Sequence, residues 1–129
     1  MYSKKVLSIF QNPQNAGGMK GANGVGKASG TSCSDIMKIY LLIEDGVVKD
    51  AQFKTFGSCA AIAATDVACE LVKGKTIEEV MNLTGSEILE ELGELPQNKV
   101  YTAMLAEQAV KAALDDYFKR QEKLQKKAD

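Results

Sequence analysis

The chain has 129 residues, near the common size of one compact domain; its 45% hydrophobic and 26% charged residues are those of an ordinary soluble protein, which buries roughly two thirds of its unfolded surface. Sixteen basic against seventeen acidic side chains give a net charge of −1, so no global field draws the molecule to nucleic acid or to an anionic membrane. Histidine is absent, which removes the commonest general base and imidazole metal ligation, and with them triads and HExxH sites.

Ser3 to Phe10 places Val6, Leu7, Ile9 and Phe10 in a segment stopped by Asn12-Pro13, which predicts a two-turn N-terminal helix. Gln11 to Ser34 holds six of the eleven glycines and reads as loop with a short edge strand about Gly24 to Ala28. Ile36 to Glu44 and Val47 to Phe56 then form a hairpin turned at Asp45-Gly46. After Gly57, Ala60, Ala63, Ala64, Val67 and Leu71 fall at helical spacing up to Gly74. Ile62, Cys69 and Val72 line a second face, so this is expected to be the central buried helix. Thr76 and Ser86 read as N-caps of two short acidic helices ending near Asn82 and Gly93. From Asn98 onward Ala103, Ala106, Val110, Ala113, Leu114 and Tyr117 make the stripe of a long amphipathic helix. The expectation is a single domain over 1–129 of α+β class, with residues 119–129 a polar, frayed helical tail.

Cys33, Cys59 and Cys69 are odd in number and irregular in spacing, which does not support a disulfide framework. Met1-Tyr2-Ser3-Lys4-Lys5 is followed by no long apolar run, and the apolar runs at 39–43 and 60–64 are far too short to span a bilayer. A cytoplasmic protein with reduced thiols, free of membrane, is expected. Gly21-Ala22-Asn23-Gly24-Val25-Gly26-Lys27 matches the first seven places of a phosphate-binding P-loop. The eighth place, which should reach magnesium through a hydroxyl, is Ala28, and no buried strand precedes the glycines. A flexible glycine loop is the better reading.

Cys33-Ser34-Asp35 precedes the first long strand, and Gly57-Ser58-Cys59 follows the second. Because the strands run antiparallel, both segments lie at one end of the hairpin, which predicts Cys33, Asp35 and Cys59 within reach of a single metal. Cys59 also opens a helix, where free N–H groups favour thiolate as a ligand for soft metals or an acceptor of sulfur. The alternatives are inert loop thiols and, for Asp35, a turn-capping role. Cys69, ten residues beyond Cys59 and so about 15 Å along the helix, is expected in the core.

Tyr2-Ser3-Lys4-Lys5-Val6, Asn12-Pro13, Gly24-Val25-Gly26, Cys33-Ser34-Asp35-Ile36-Met37-Lys38, Phe53-Lys54-Thr55-Phe56-Gly57, Ala61-Ile62-Ala63, Val72-Lys73-Gly74-Lys75 and Leu105-Ala106-Glu107 stand in the order and spacing of the NifU/IscU iron-sulfur cluster scaffolds. The chain resembles that family from Tyr2 to about Tyr117. The resemblance implies a three-stranded antiparallel sheet with an N-terminal helix and several C-terminal helices packed on it. It also implies a scaffold rather than an enzyme: sulfur arrives from a cysteine desulfurase, iron from a donor, and a labile [2Fe-2S] cluster leaves for recipient apo-proteins. By position Cys33 is the first cysteine ligand and Asp35 the aspartate that keeps the cluster labile.

The chain departs from the family pattern at three places. The second cysteine should follow the glycine directly, but Ser58 stands there and Cys59 one residue later, a helical rotation of about 100°. The His-Cys pair of the last helix falls on Tyr101-Thr102. The chaperone-recognition stretch is matched only by Leu95-Pro96-Gln97-Asn98-Lys99, so a dedicated chaperone is not expected. The resulting reading has Cys33, Asp35 and Cys59 as ligands of a labile cluster or of iron, with zinc a substitute, and Tyr101 or an external thiol or water in the open position. With fewer than four thiolates the cluster should be weak, oxygen-sensitive or shared across a homodimer. The rival reading is a non-assembling relative that acts as an adaptor on a desulfurase; a thiol-dependent enzyme lacks any base beside a cysteine.

Overall fold

The computed structural model describes residues 2–30 and 34–128. Helix α1 (Lys4–Gln11) begins after Ser3, whose side chain accepts a hydrogen bond from the Val6 N–H at 3.2 Å. Strands β1 (Gly24–Ser29), β2 (Ile36–Glu44) and β3 (Val47–Phe56) form one antiparallel sheet in the order β1-β2-β3. Positive φ angles at Asp45 (54°) and Gly46 (73°) make the two-residue turn whose twist suits a hairpin.

Alternation along the strands, reset by one bulge where Leu42 pairs with Asp50 and Ile43 with Val48, sends Met37, Ile39, Leu41, Val48, Ala51 and Phe53 to one buried face. That face is covered by α2 (Cys59–Val72) and α5 (Tyr101–Ala128), with α3 (Ile77–Met81) and α4 (Gly85–Leu92) packed on α5 and α4 also on α2. The glycine run is thus partly strand. Gly26 of β1 lies so close to α5 that a Cβ there would overlap the backbone at Ala109, Ala112 and Ala113.

Helix α2 is central, with ten of its fourteen residues buried, but two of these are polar. Asp66 is held by Asn15, whose N–H and Nδ2 donate to its Oδ1 at 2.8 and 3.0 Å; Lys73 in turn donates to Asn15 Oδ1. This buried network pins the stretch after α1 beside β3, where Ala16 bridges Phe53.

Two expected boundaries move. Helix α4 is capped by Thr84, whose Oγ1 accepts from the Glu87 N–H at 3.2 Å, and not by Ser86. The earlier start is possible because Gly85 has no Cβ to strike Met104 and because its N–H is taken by Glu107 at 2.6 Å. The last long helix starts at Tyr101, three residues after Asn98, because a 3-10 turn over Gln97–Lys99 intervenes. Residues 119–128 continue α5 as helix. Arg120, at the beginning of this stretch, donates to the Ala22 carbonyl at 3.2 Å and pairs with Asp116 at 3.0 Å. Among the described residues no helix is long and apolar enough to cross a membrane.

Candidate functional site

The site is built where the hairpin's open end meets the first turns of α2 and α5. Ile36, the first residue of β2, pairs with Phe56, the last of β3, so Asp35 and Gly57 are brought side by side. Asp35 is only 4% exposed, and both of its carboxylate oxygens are engaged. Oδ1 accepts the Ser58 N–H at 3.0 Å, and Oδ2 accepts the hydroxyl of Tyr101. A buried carboxylate must be hydrogen-bonded to be tolerated, and here the partners come from the starts of two different helices.

Cys59 is the first residue of α2 and half-buried. Ser58, in the place where the family resemblance puts a cysteine, caps the helix: its side chain accepts the Ala61 N–H at 3.2 Å. Gly57 has φ +146°, and a Cβ there would overlap Asp35 Oδ1, so the glycine is what lets the aspartate close on Ser58. Phe56, next to it, is 73% exposed. Thr102, at the place of the family's third cysteine, is fully buried, and its hydroxyl donates to the Lys99 carbonyl at 2.7 Å.

Of the residues expected at the site, Asp35 and Tyr101 are in direct contact, and Cys59 is one residue from Asp35's backbone partner. Cys33 lies outside the described residues. Among the described residues no three or more His, Cys, Asp or Glu side chains come together in a group that could hold a metal ion. Cys69 is fully buried as expected, and burial first, then the nearby Asp66 carboxylate, push its thiol well above the ordinary range. It is an inert core thiol. Sequence reasoning missed Ser58 and Gly57 as members of the site. The signal for Ser58 was present, since a serine just before an apolar helical run is a capping residue; the need for Gly57 depends on Asp35, remote in sequence.

The family description NifU-like N terminal domain matches residues 1–124, and the iron-sulfur cluster assembly scaffold protein IscU 1 of Archaeoglobus fulgidus is 44% identical over 126 residues, 98% of this chain and 82% of that one. The chain belongs to the NifU/IscU family. The scaffold protein IscU of Escherichia coli K12 is 39% identical over 125 residues, covering 94% and 97% of the two chains. Among solved structures, a protein assigned as a SUF-system iron-sulfur cluster assembly scaffold from Fervidobacterium islandicum AW-1 superposes with TM-score 0.70 at 22% identity, covering 88% of this chain and 96% of that one. The N-terminal part of a NifU-like protein from Brucella abortus gives TM-score 0.59 at 21% identity over 95% and 88%. These likenesses establish the NifU/IscU fold, and with it the α+β class expected from sequence.

Proposed function

We propose that this chain is an iron-sulfur cluster assembly scaffold, which receives sulfur from a cysteine desulfurase and iron from a donor and passes a labile [2Fe-2S] cluster to recipient apo-proteins. The observation that supports it most is the buried Asp35 carboxylate clasped against the turn that carries Cys59, in a chain whose near full-length relatives are named as scaffolds. Cys33, Asp35 and Cys59 are the protein ligands in this reading. Two thiolates suit iron and accept sulfur, while the harder carboxylate makes the weakest bond and so favours release. An external thiol or water completes the set, or two copies share one cluster as a homodimer. The same donors accept zinc as a substitute. The chain's part is to hold and hand on, with no reaction of its own, in the cytoplasm and without a dedicated chaperone.

Anaerobic reconstitution with ferrous iron and sulfide, followed by iron and acid-labile sulfide analysis, tests this reading. Wild type and Cys69→Ser should carry iron and sulfide together; Cys33→Ser and Cys59→Ser should lose most of both. Protein that takes up neither, yet binds a desulfurase, would establish the adaptor role instead.

A further inference from the structure

The Asp35 carboxylate is held very differently at its two oxygens. Oδ1 is fixed by backbone, accepting the Ser58 N–H at 3.0 Å with Gly57 packed against it. Oδ2 is held by the Tyr101 hydroxyl, a half-buried side chain on the first residue of α5 that moves by rotation about its own bonds. With Asp35 almost wholly shielded from solvent, an incoming metal that uses Oδ2 must take the place of that hydroxyl.

We infer that Tyr101 is a positioning residue that competes with iron for Asp35, so that the Tyr101–Asp35 hydrogen bond sets how readily the site gives up its metal. The inference rests on the scaffold reading and deepens it. The exchange is one of ligands only: the phenol keeps its proton, and the carboxylate trades a hydrogen bond for a bond to iron. A hydrogen bond to a charged group, regained each time iron leaves, shifts the equilibrium toward release by about tenfold or more.

Ferrous iron, bound anaerobically and then challenged with excess chelator, provides the test. Tyr101→Phe should retain iron about tenfold longer than wild type, while its iron-free form unfolds at lower urea concentration. A merely structural role would weaken both. In an Asp35→Ala background the same substitution should leave iron retention unchanged, because the acceptor is gone. With four tyrosines and no tryptophan in the chain, displacement of Tyr101 should also appear as a tyrosine ultraviolet difference spectrum on adding iron, absent in Tyr101→Phe. Tyr101→Met, which removes the hydroxyl with a more adaptable side chain, should repeat the longer retention if Tyr101→Phe folds poorly. Shorter retention in both variants, whether from a lost ligand or a weakened fold, would overturn the inference, as would unchanged retention, with Cys33→Ser and Cys59→Ser still lowering iron uptake. Iron uptake indifferent to both cysteines would overturn the scaffold reading itself.

Discussion

Gly57 shows how one residue governs the site. Its φ of +146° is strained for any side chain, and a Cβ would press into Asp35 Oδ1. Gly57→Ala should therefore lower stability by about 1–3 kcal/mol, read as a fall in the urea midpoint. It should also break the Asp35 to Ser58 hydrogen bond, visible as faster amide exchange at Ser58. What was not legible is how Asp35 is held, its oxygens taken by the Ser58 N–H and the Tyr101 hydroxyl with no room for a Cβ at Gly57, because Tyr101 stands 66 positions away and these contacts form only once the starts of two helices have packed on the hairpin end. Asp35 and Cys59 as candidates were legible, because antiparallel pairing of adjacent strands puts their segments at one end whatever the rest of the chain does.

Among the elements, β1 and α5 depend on each other most directly. Gly26→Ala would drive a methyl group into the α5 backbone, which cannot yield as a side chain can, and should cost about 3 kcal/mol, with loss of exchange protection along β1. On the same contact the Asp116 carboxylate accepts the Val25 N–H at 2.8 Å and pairs with Arg120. Asp116→Ala should cost about 1–2 kcal/mol by thermal or urea unfolding, since a strand N–H loses its partner. Removing residues 122–129, which make no hydrogen bond back to the domain among the described residues, should change stability by less than about 0.5 kcal/mol. The sequence foretold α5 and a polar tail from residue 119, but not that Asp116 and Arg120 tie the helix to Val25 and Ala22, because the stripe of apolar residues stops at Tyr117 and these ties are polar.

For the whole molecule, the buried Cys69 thiol links stability to alkaline pH. Burial holds it protonated in the fold, well above its ordinary value near 9.0. A raised value means that its contribution is fully present below about pH 9 and declines as the pH rises beyond it, because the unfolded chain then releases a proton that the folded chain keeps. Urea midpoints measured at pH 8 and pH 10 should show a steeper loss in wild type than in Cys69→Ser, by up to about 1.4 kcal/mol per pH unit above the ordinary thiol value. The sequence by itself determined the class, the order of elements, the hairpin, the central helix and the burial of Cys69, because hydrophobic period, turn residues and caps act over a few neighbours. Tertiary structure alone decided that Asp66 would be buried with Asn15, that Gly26 would lie against a helix backbone, and that Asp35 would be shared between Ser58 and Tyr101. Each of these depends on groups 23 to 87 residues apart, and a buried polar group or a close backbone approach is tolerated only when packing has delivered its partner.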